Sequence, residues 1–195
     1  IVLVQNEKFT WGISKRQHNY PILYIKKNLI SFSNKKIELN IDATLKQGEI
    51  TQNVLGYVKG TEKPDSFIVF SAHYDHIGML GEDAIFPGAN DNASGTSMII
   101  DLARHYALPE NKPKTSILFI AFGAEEVGLL GSKFYVQKPY FPLEKILFQI
   151  NTDIMGTGDD GITMVNATKN PDIYQAFKKI NDKKQYLKRI KKRGQ

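Results

Sequence analysis

The chain has 195 residues, 42% of them hydrophobic and 24% charged, enough for one well-buried domain and without the bias of a disordered or fibrous chain. It contains no cysteine, which excludes disulfides and thiolate metal sites, and no apolar run reaches the roughly 20 residues of a membrane-spanning helix. The net charge of +6 is concentrated in residues 178–195, where nine Lys and Arg face the single acid Asp182; this reads as one solvated basic tail and not as a nucleic-acid surface.

Residues 1–48 hold short β-like pieces (Ile1–Val4, 22–25 and 37–41) among Lys, Asn and Ser turns. They are read as a small β-rich appendage or the end of an inserted module, with the main domain spanning 49–195. From there strands and helices alternate, as in an α/β sheet. Asn53–Lys59 and Phe67–Ala72 are β-rich, separated by turn chemistry at 60–65. A helical stripe covers Asp91–Tyr106, closed by Pro109 and Pro113. Thr115–Phe122 is a continuous buried strand, Val127–Val136 a short helix, Ile146–Asn151 a second buried strand and Ile162–Asn166 a last one. Asn170-Pro-Asp172 caps a final helix, whose apolar positions Ile173, Phe177, Ile180, Leu187 and Ile190 predict an amphipathic helix through the basic tail.

Polar residues cluster where these strands end. His73, Tyr74, Asp75 and His76 follow the first buried strand; Asp91 and Asn92 open the long helix; Glu125 and Glu126 follow the second strand; Asp153 follows the third. Ligands of open α/β sheets bind beyond the carboxyl ends of the strands, so imidazole and carboxylates converge there. Each piece alone is weak, because His-x-Asp pairs, paired glutamates and helix-start Asp residues are common on surfaces. Their joint occurrence at successive strand ends is not. Imidazole and carboxylate suit Zn²⁺, and one carboxylate can bridge two ions that share a hydroxide. Of the paired glutamates, one can bind metal while the other moves protons. Asp75 is placed to orient the His73 ring.

Ser71-Ala-His-Tyr-Asp-His-Ile-Gly78, Pro87-Gly-Ala-Asn-Asp-Asn-Ala-Ser-Gly95, Ala121-Phe-Gly-Ala-Glu-Glu-Val-Gly-Leu-Leu-Gly-Ser132 and Asn151-Thr-Asp-Ile-Met-Gly156 resemble the co-catalytic di-zinc aminopeptidases. These are the secreted bacterial leucyl-type enzymes, related to the glutamate carboxypeptidases. The resemblance covers about residues 50–195. It implies a three-layer α/β/α fold with a mixed, mostly parallel sheet of the phosphorylase/hydrolase-like exopeptidase type. It also implies two Zn²⁺ per complete site, with His73 and Asp153 on one ion, Glu126 on the other and Asp91 bridging. Glu125 would be the general base and Asp75 the orienter of His73. The implied substrate is a peptide shortened from its N-terminus, and the implied compartment is the periplasm or the exterior.

The family's second zinc takes one further His well downstream of the Asp153 position. Here the histidines are His18, His73, His76 and His105, and none follows Asp153. With a strand-like start at Ile1 and an end at Lys191-Lys-Arg-Gly-Gln195, this suggests a C-terminally incomplete piece whose second metal site is weak and whose own activity is small. His76 is assigned a supporting role, since the strand-end position favours His73 as ligand. His18 and His105 are read as structural. Competing functions are a carboxypeptidase for acidic dipeptides, which needs a basic pocket, and a non-catalytic, receptor-like module of the same fold. Substrate preference and oligomeric state are not legible.

Overall fold

In a computed structural model, residues 1–9, 12–14, 16–31, 33 and 36–194 are described. The N-terminal part holds strands β1 (Val2–Gln5) and β2 (Leu23–Lys26), paired in parallel, whereas 37–41 form no regular strand. The main sheet begins with β3 (Val54–Val58) and β4 (Lys63–His73). A small hairpin, β5 (Met79–Leu80) and β6 (Ala84–Ile85), follows. Next come α1 (Ser94–Ala107), β7 (Thr115–Phe122), α2 (Leu130–Gln137) and β8 (Ile146–Asn151). The chain closes with β9 (Ile162–Met164), α3 (Pro171–Lys184) and β10 (Ile190–Lys192).

The four-stranded sheet has the order β3-β7-β4-β8. β3 runs antiparallel to β7, while β7, β4 and β8 are mutually parallel, giving the mixed, mostly parallel sheet of an α/β fold. Alternation along β7 divides the core between two faces. Ile117 and Phe119 pack with Val58, Ala72 and Ile99 of α1, while Leu118, Ile120 and Phe122 pack with Phe67, Val69 and Tyr135 of α2. Helices thus cover both faces, and the parallel strands end together at His73, Phe122 and Asn151.

Three boundaries differ from those the sequence predicts, each for a local reason. β4 starts at Lys63, inside the expected turn, because Ser116 Oγ accepts the Gly60 N–H and donates to the Pro64 carbonyl, drawing that segment onto β7. The long helix starts at Ser94 and not at Asp91: Ala89–Ala93 form an irregular turn in which Asp91 and Asn92 are non-helical and their shared peptide is cis. The amphipathic helix stops at Lys184 instead of running through Ile190. Gln185 adopts the left-handed conformation that ends helices, and both ends of the Asn181 amide bind the Leu187 backbone. Ile190–Lys192 then pairs with β9, where any side chain on Gly161 would collide with the Arg189 carbonyl.

Candidate metal centre

His73 is the last residue of β4, and its imidazole is nearly buried, at 6% exposure. Its Nε2 lies 3.1 Å from Asp91 Oδ1 and 3.5 Å from Asp153 Oδ1. On the other side His76 Nδ1 lies 2.9 Å from Glu126 Oε1. Two groups with ligand-capable atoms result, His73/Asp91/Asp153 and His76/Asp91/Glu126, each with those atoms within 4.8 Å of one another. Asp91 belongs to both, which is the position the sequence assigned to a bridge. Imidazole nitrogens and carboxylate oxygens at this spacing form a donor set for a divalent transition metal.

A buried polar framework holds these donors in place. Asn92, completely buried, donates from Nδ2 to the Thr152 carbonyl and accepts the Gly95 N–H at Oδ1, tying the Asp91 turn to the end of β8. Thr152 Oγ1 donates to the carbonyls of Ser71 and Gly95. Gly95 is required at this crossing, because a Cβ there would overlap the Thr152 carbonyl and Asn92 Oδ1. Ser94 Oγ accepts the Met155 N–H and Asn90 Oδ1 the Gly156 N–H, so the turn after Asp153 is fixed to the turn around Asp91.

The loop after β7 is held in the same manner. Asn53 accepts the Gly123 N–H and donates to the Gly131 carbonyl, closing the loop that carries Glu125 and Glu126. Ala124 and Ile154, adjacent to Glu125 and Asp153, have positive φ of 54° and 50°. Such residues cost about 1–3 kcal/mol each and persist where the surroundings over-determine them, often beside active sites.

Asp75 departs from its predicted role. The His73 Nδ1 partner is the Asp75 backbone carbonyl at 3.1 Å, whereas the Asp75 carboxylate is 3.8 Å away. That carboxylate instead accepts the backbone N–H groups of Glu125, at 2.9 Å, and Glu126, at 3.1 Å. The ring is oriented by main chain because the side chain is engaged by the glutamate loop. His76, expected in a supporting role, lies beside Glu126 in the second of these groups. Sequence reasoning missed Asn53 and Thr152 and gave Asn92 no role; their signal was only small polar residues beside glycine-rich turns.

Electrostatics follow from burial and crowding. Burial alone would lower the His73 pKa, but Glu125, the Asp75 carbonyl, Asp153 and Asp91 outweigh it and hold it above its ordinary value. Burial pushes the Glu125 carboxyl up; His73 opposes the rise, and Glu126, Asp75 and Asp153 add to it. Glu125 lines a cleft of about 220 Å³ with His73 and Asp153, walled by Phe122, Leu129 and Gln149. A carboxyl raised toward neutrality in a cleft beside a metal-type donor set is equipped to move protons.

Fold and donor set together are those of an α/β domain that carries a candidate two-metal centre at the ends of its parallel strands. Residues 53–193 match Peptidase family M28, and the chain belongs to that family. It is 34% identical over 169 residues to Aminopeptidase YwaD of Bacillus subtilis, covering 80% of this chain and 34% of that protein. In structure it is similar to a leucine aminopeptidase precursor from Bacteroides thetaiotaomicron (TM-score 0.59, 22% identity) and to a Zn-dependent exopeptidase from Parabacteroides distasonis (0.57, 19%). Each match covers 73% of this chain and 56% of the other. The chain thus spans about a third of the curated relative and about half of each solved one.

Proposed function

We propose that this chain carries the two-metal centre of a zinc-dependent aminopeptidase that removes N-terminal residues from peptides. The observation that carries this reading is Asp91, shared by two histidine–carboxylate groups, with Glu125 in the cleft alongside one of them. Membership of Peptidase family M28 and the similarity to an aminopeptidase support it. The donors fit zinc by type: His73, Asp91 and Asp153 would hold one ion, and Asp91 with Glu126 would contribute to the second.

When bound, the ions would polarise the scissile carbonyl and acidify the attacking water. Glu125 takes the proton of that water on its carboxylate and returns it to the leaving amine nitrogen. Asp75 holds the Glu125 backbone during both transfers, and Asn53 closes the loop behind it. Phe122 and Leu129 give the cleft an apolar wall, and its lining includes no Lys or Arg among the described residues. A neutral substrate residue therefore suits it better than the carboxylate of an acidic dipeptide. By the same family resemblance we assign the protein to the periplasm or the exterior, which cell fractionation would check.

The test is hydrolysis of paired peptides with free and acetylated N-termini by zinc-loaded protein. Release of the first residue from the free peptide only, lost on chelation and restored by Zn²⁺, is the expected result. Release from the C-terminus, or turnover indifferent to chelation, would refute the reading.

A further inference from the structure

We propose that the basic face formed by the end of α3 and by β10 is a docking surface for an anionic phospholipid membrane. The proposal is independent of the metal centre. Between residues 178 and 195, nine Lys and Arg stand against the single acid Asp182, while the rest of the chain is slightly acidic. Composition alone is compatible with a merely solvated face. The structure adds that these charges are held together and left without counter-charges. Asp182 is engaged by Lys178 at 3.0 Å and Asp160 by Lys188 at 3.9 Å. Among the described residues, Lys179, Lys183, Lys184, Lys191, Lys192 and Arg193 are exposed and pair with no carboxylate. Tyr174 Oη donates to the Ile190 carbonyl and Asn181 Nδ2 to that of Leu187. These bonds fix β10 against α3, so both sets of cations belong to one unit.

Two exposed apolar side chains within this face select a lipid surface over a dissolved polyanion. Ile180 is 58% exposed and Tyr186 73%. Helical spacing places Ile180 beside Lys183 and Lys184, three and four residues on, whereas Asp182 and Lys178 lie on another side of the helix. Tyr186 follows the left-handed Gln185 that ends the helix. An aliphatic side chain gains nothing from the phosphates of a soluble polymer, but it gains from leaving water at the boundary of the acyl chains. A tyrosine suits the same depth, with its apolar ring and polar tip, and is enriched at membrane interfaces. Lysine stems can lie over that boundary while their ammonium groups reach the headgroup phosphates. A cluster of about four to eight Lys or Arg on an amphipathic helix is the pattern that anionic headgroups attract.

Each Lys or Arg near an anionic surface strengthens binding about fivefold, and the effect fades within a Debye length. The test is co-sedimentation of the chain with vesicles of phosphatidylcholine alone or mixed with phosphatidylglycerol, in chelator so that no metal bridges protein to lipid. Inorganic polyphosphate, which carries the charge without acyl chains, is the competitor. Two variants are compared with the parent, Lys179→Gln/Lys183→Gln/Lys184→Gln and Ile180→Ser/Tyr186→Ser. All these positions are exposed, and circular dichroism establishes that each variant is folded. The expected result is binding to the mixed vesicles only, abolished at about 1 M salt and weakened about 100-fold in the triple variant. The double variant should also bind less tightly but keep the parental salt dependence, because it loses apolar contact and no charge. Equal binding to phosphatidylcholine alone, no binding to either vesicle, or parental affinity in the triple variant would overturn the proposal. Parental vesicle binding by the double variant, with full displacement by polyphosphate, would overturn it in favour of a general polyanion site.

Discussion

Asp75 Oδ1 accepts the backbone N–H of Glu125 at 2.9 Å, joining the end of β4 to the loop after β7 across 50 residues of chain. Its second oxygen accepts the next N–H, that of Glu126, so one carboxylate sets the position of both glutamates. Hydrogen bonds to a charged acceptor contribute about 1.5–3 kcal/mol each, and here both donors lose their partner together if the carboxylate is removed. Asp75→Ala should lower stability by about 2 kcal/mol or more and reduce turnover far more than substrate binding. Thermal unfolding and a kcat-against-KM comparison check this; a variant with unchanged melting and kcat would remove Asp75 from the loop's support.

Asn53 is the second support of that loop, through the Gly123 N–H and the Gly131 carbonyl. Asn53→Ala would strand the Gly123 N–H and the Gly131 carbonyl, at a cost of about 1–3 kcal/mol. Urea unfolding should show a lower midpoint with an unchanged slope.

Gly95 is the point where α1 meets the end of β8. Because an added methyl would overlap main-chain and side-chain oxygens at once, Gly95→Ala should cost about 1–3 kcal/mol or more in overpacking. It should also weaken zinc binding by displacing Asp91 and Asp153 relative to each other. Gly56, where a Cβ meets nothing within 4 Å, is the matched control.

The acid–base behaviour of the metal-free chain follows from two raised pKa values. Folding raises His73 above 6.5 and Glu125 above 4.5, so the folded chain holds these protons more tightly than the unfolded one. Their contribution to stability is complete below the unfolded values and is lost as pH rises through the folded ones. Melting temperature in the presence of chelator should therefore fall from mildly acidic pH upward through neutrality, and zinc should oppose the trend by taking the place of the His73 proton. Glu125→Gln removes one titrating group and the largest influence raising the other, so it should flatten the slope. An equal slope in parent and variant would contradict this origin.

Much of this was legible in the sequence because the signals were strong and local. Thr115–Phe122 reads as a buried strand since every residue is apolar or small, and both faces of the sheet are covered. His73, Asp91, Glu125, Glu126 and Asp153 stood out by their place at strand ends and by resemblance, and the fold brings all five to one edge. What failed depended on contacts distant in sequence. The periodicity of Ile173 to Ile190 continues past Lys184, but the Asn181–Leu187 cap and the pairing with β9 decide the outcome. The carboxylate of Asp75 could reach either a ring nitrogen or two amides, and only the placement of the β7 loop selects between them. The nearness of His76 to Glu126 was likewise not legible, because the two lie 50 residues apart in the chain.

Shared use of Asp91 also separates the two halves of the site. Asp91→Asn should weaken both equivalents of zinc, whereas Asp153→Asn should weaken only the one held with His73. Calorimetric titration distinguishes them, and selective loss of one equivalent in Asp91→Asn would exclude a bridge.

The central claim is that Glu125 moves the proton in a metal-dependent cleavage without itself holding metal. Turnover of an unblocked peptide by zinc-loaded Glu125→Gln, with zinc content measured on the same sample, tests it most directly. The account predicts a fall of about 10²–10⁴-fold in kcat with zinc stoichiometry equal to the parent's. Peptide cleavage at the parental rate, or loss of a zinc equivalent with the substitution, would contradict it.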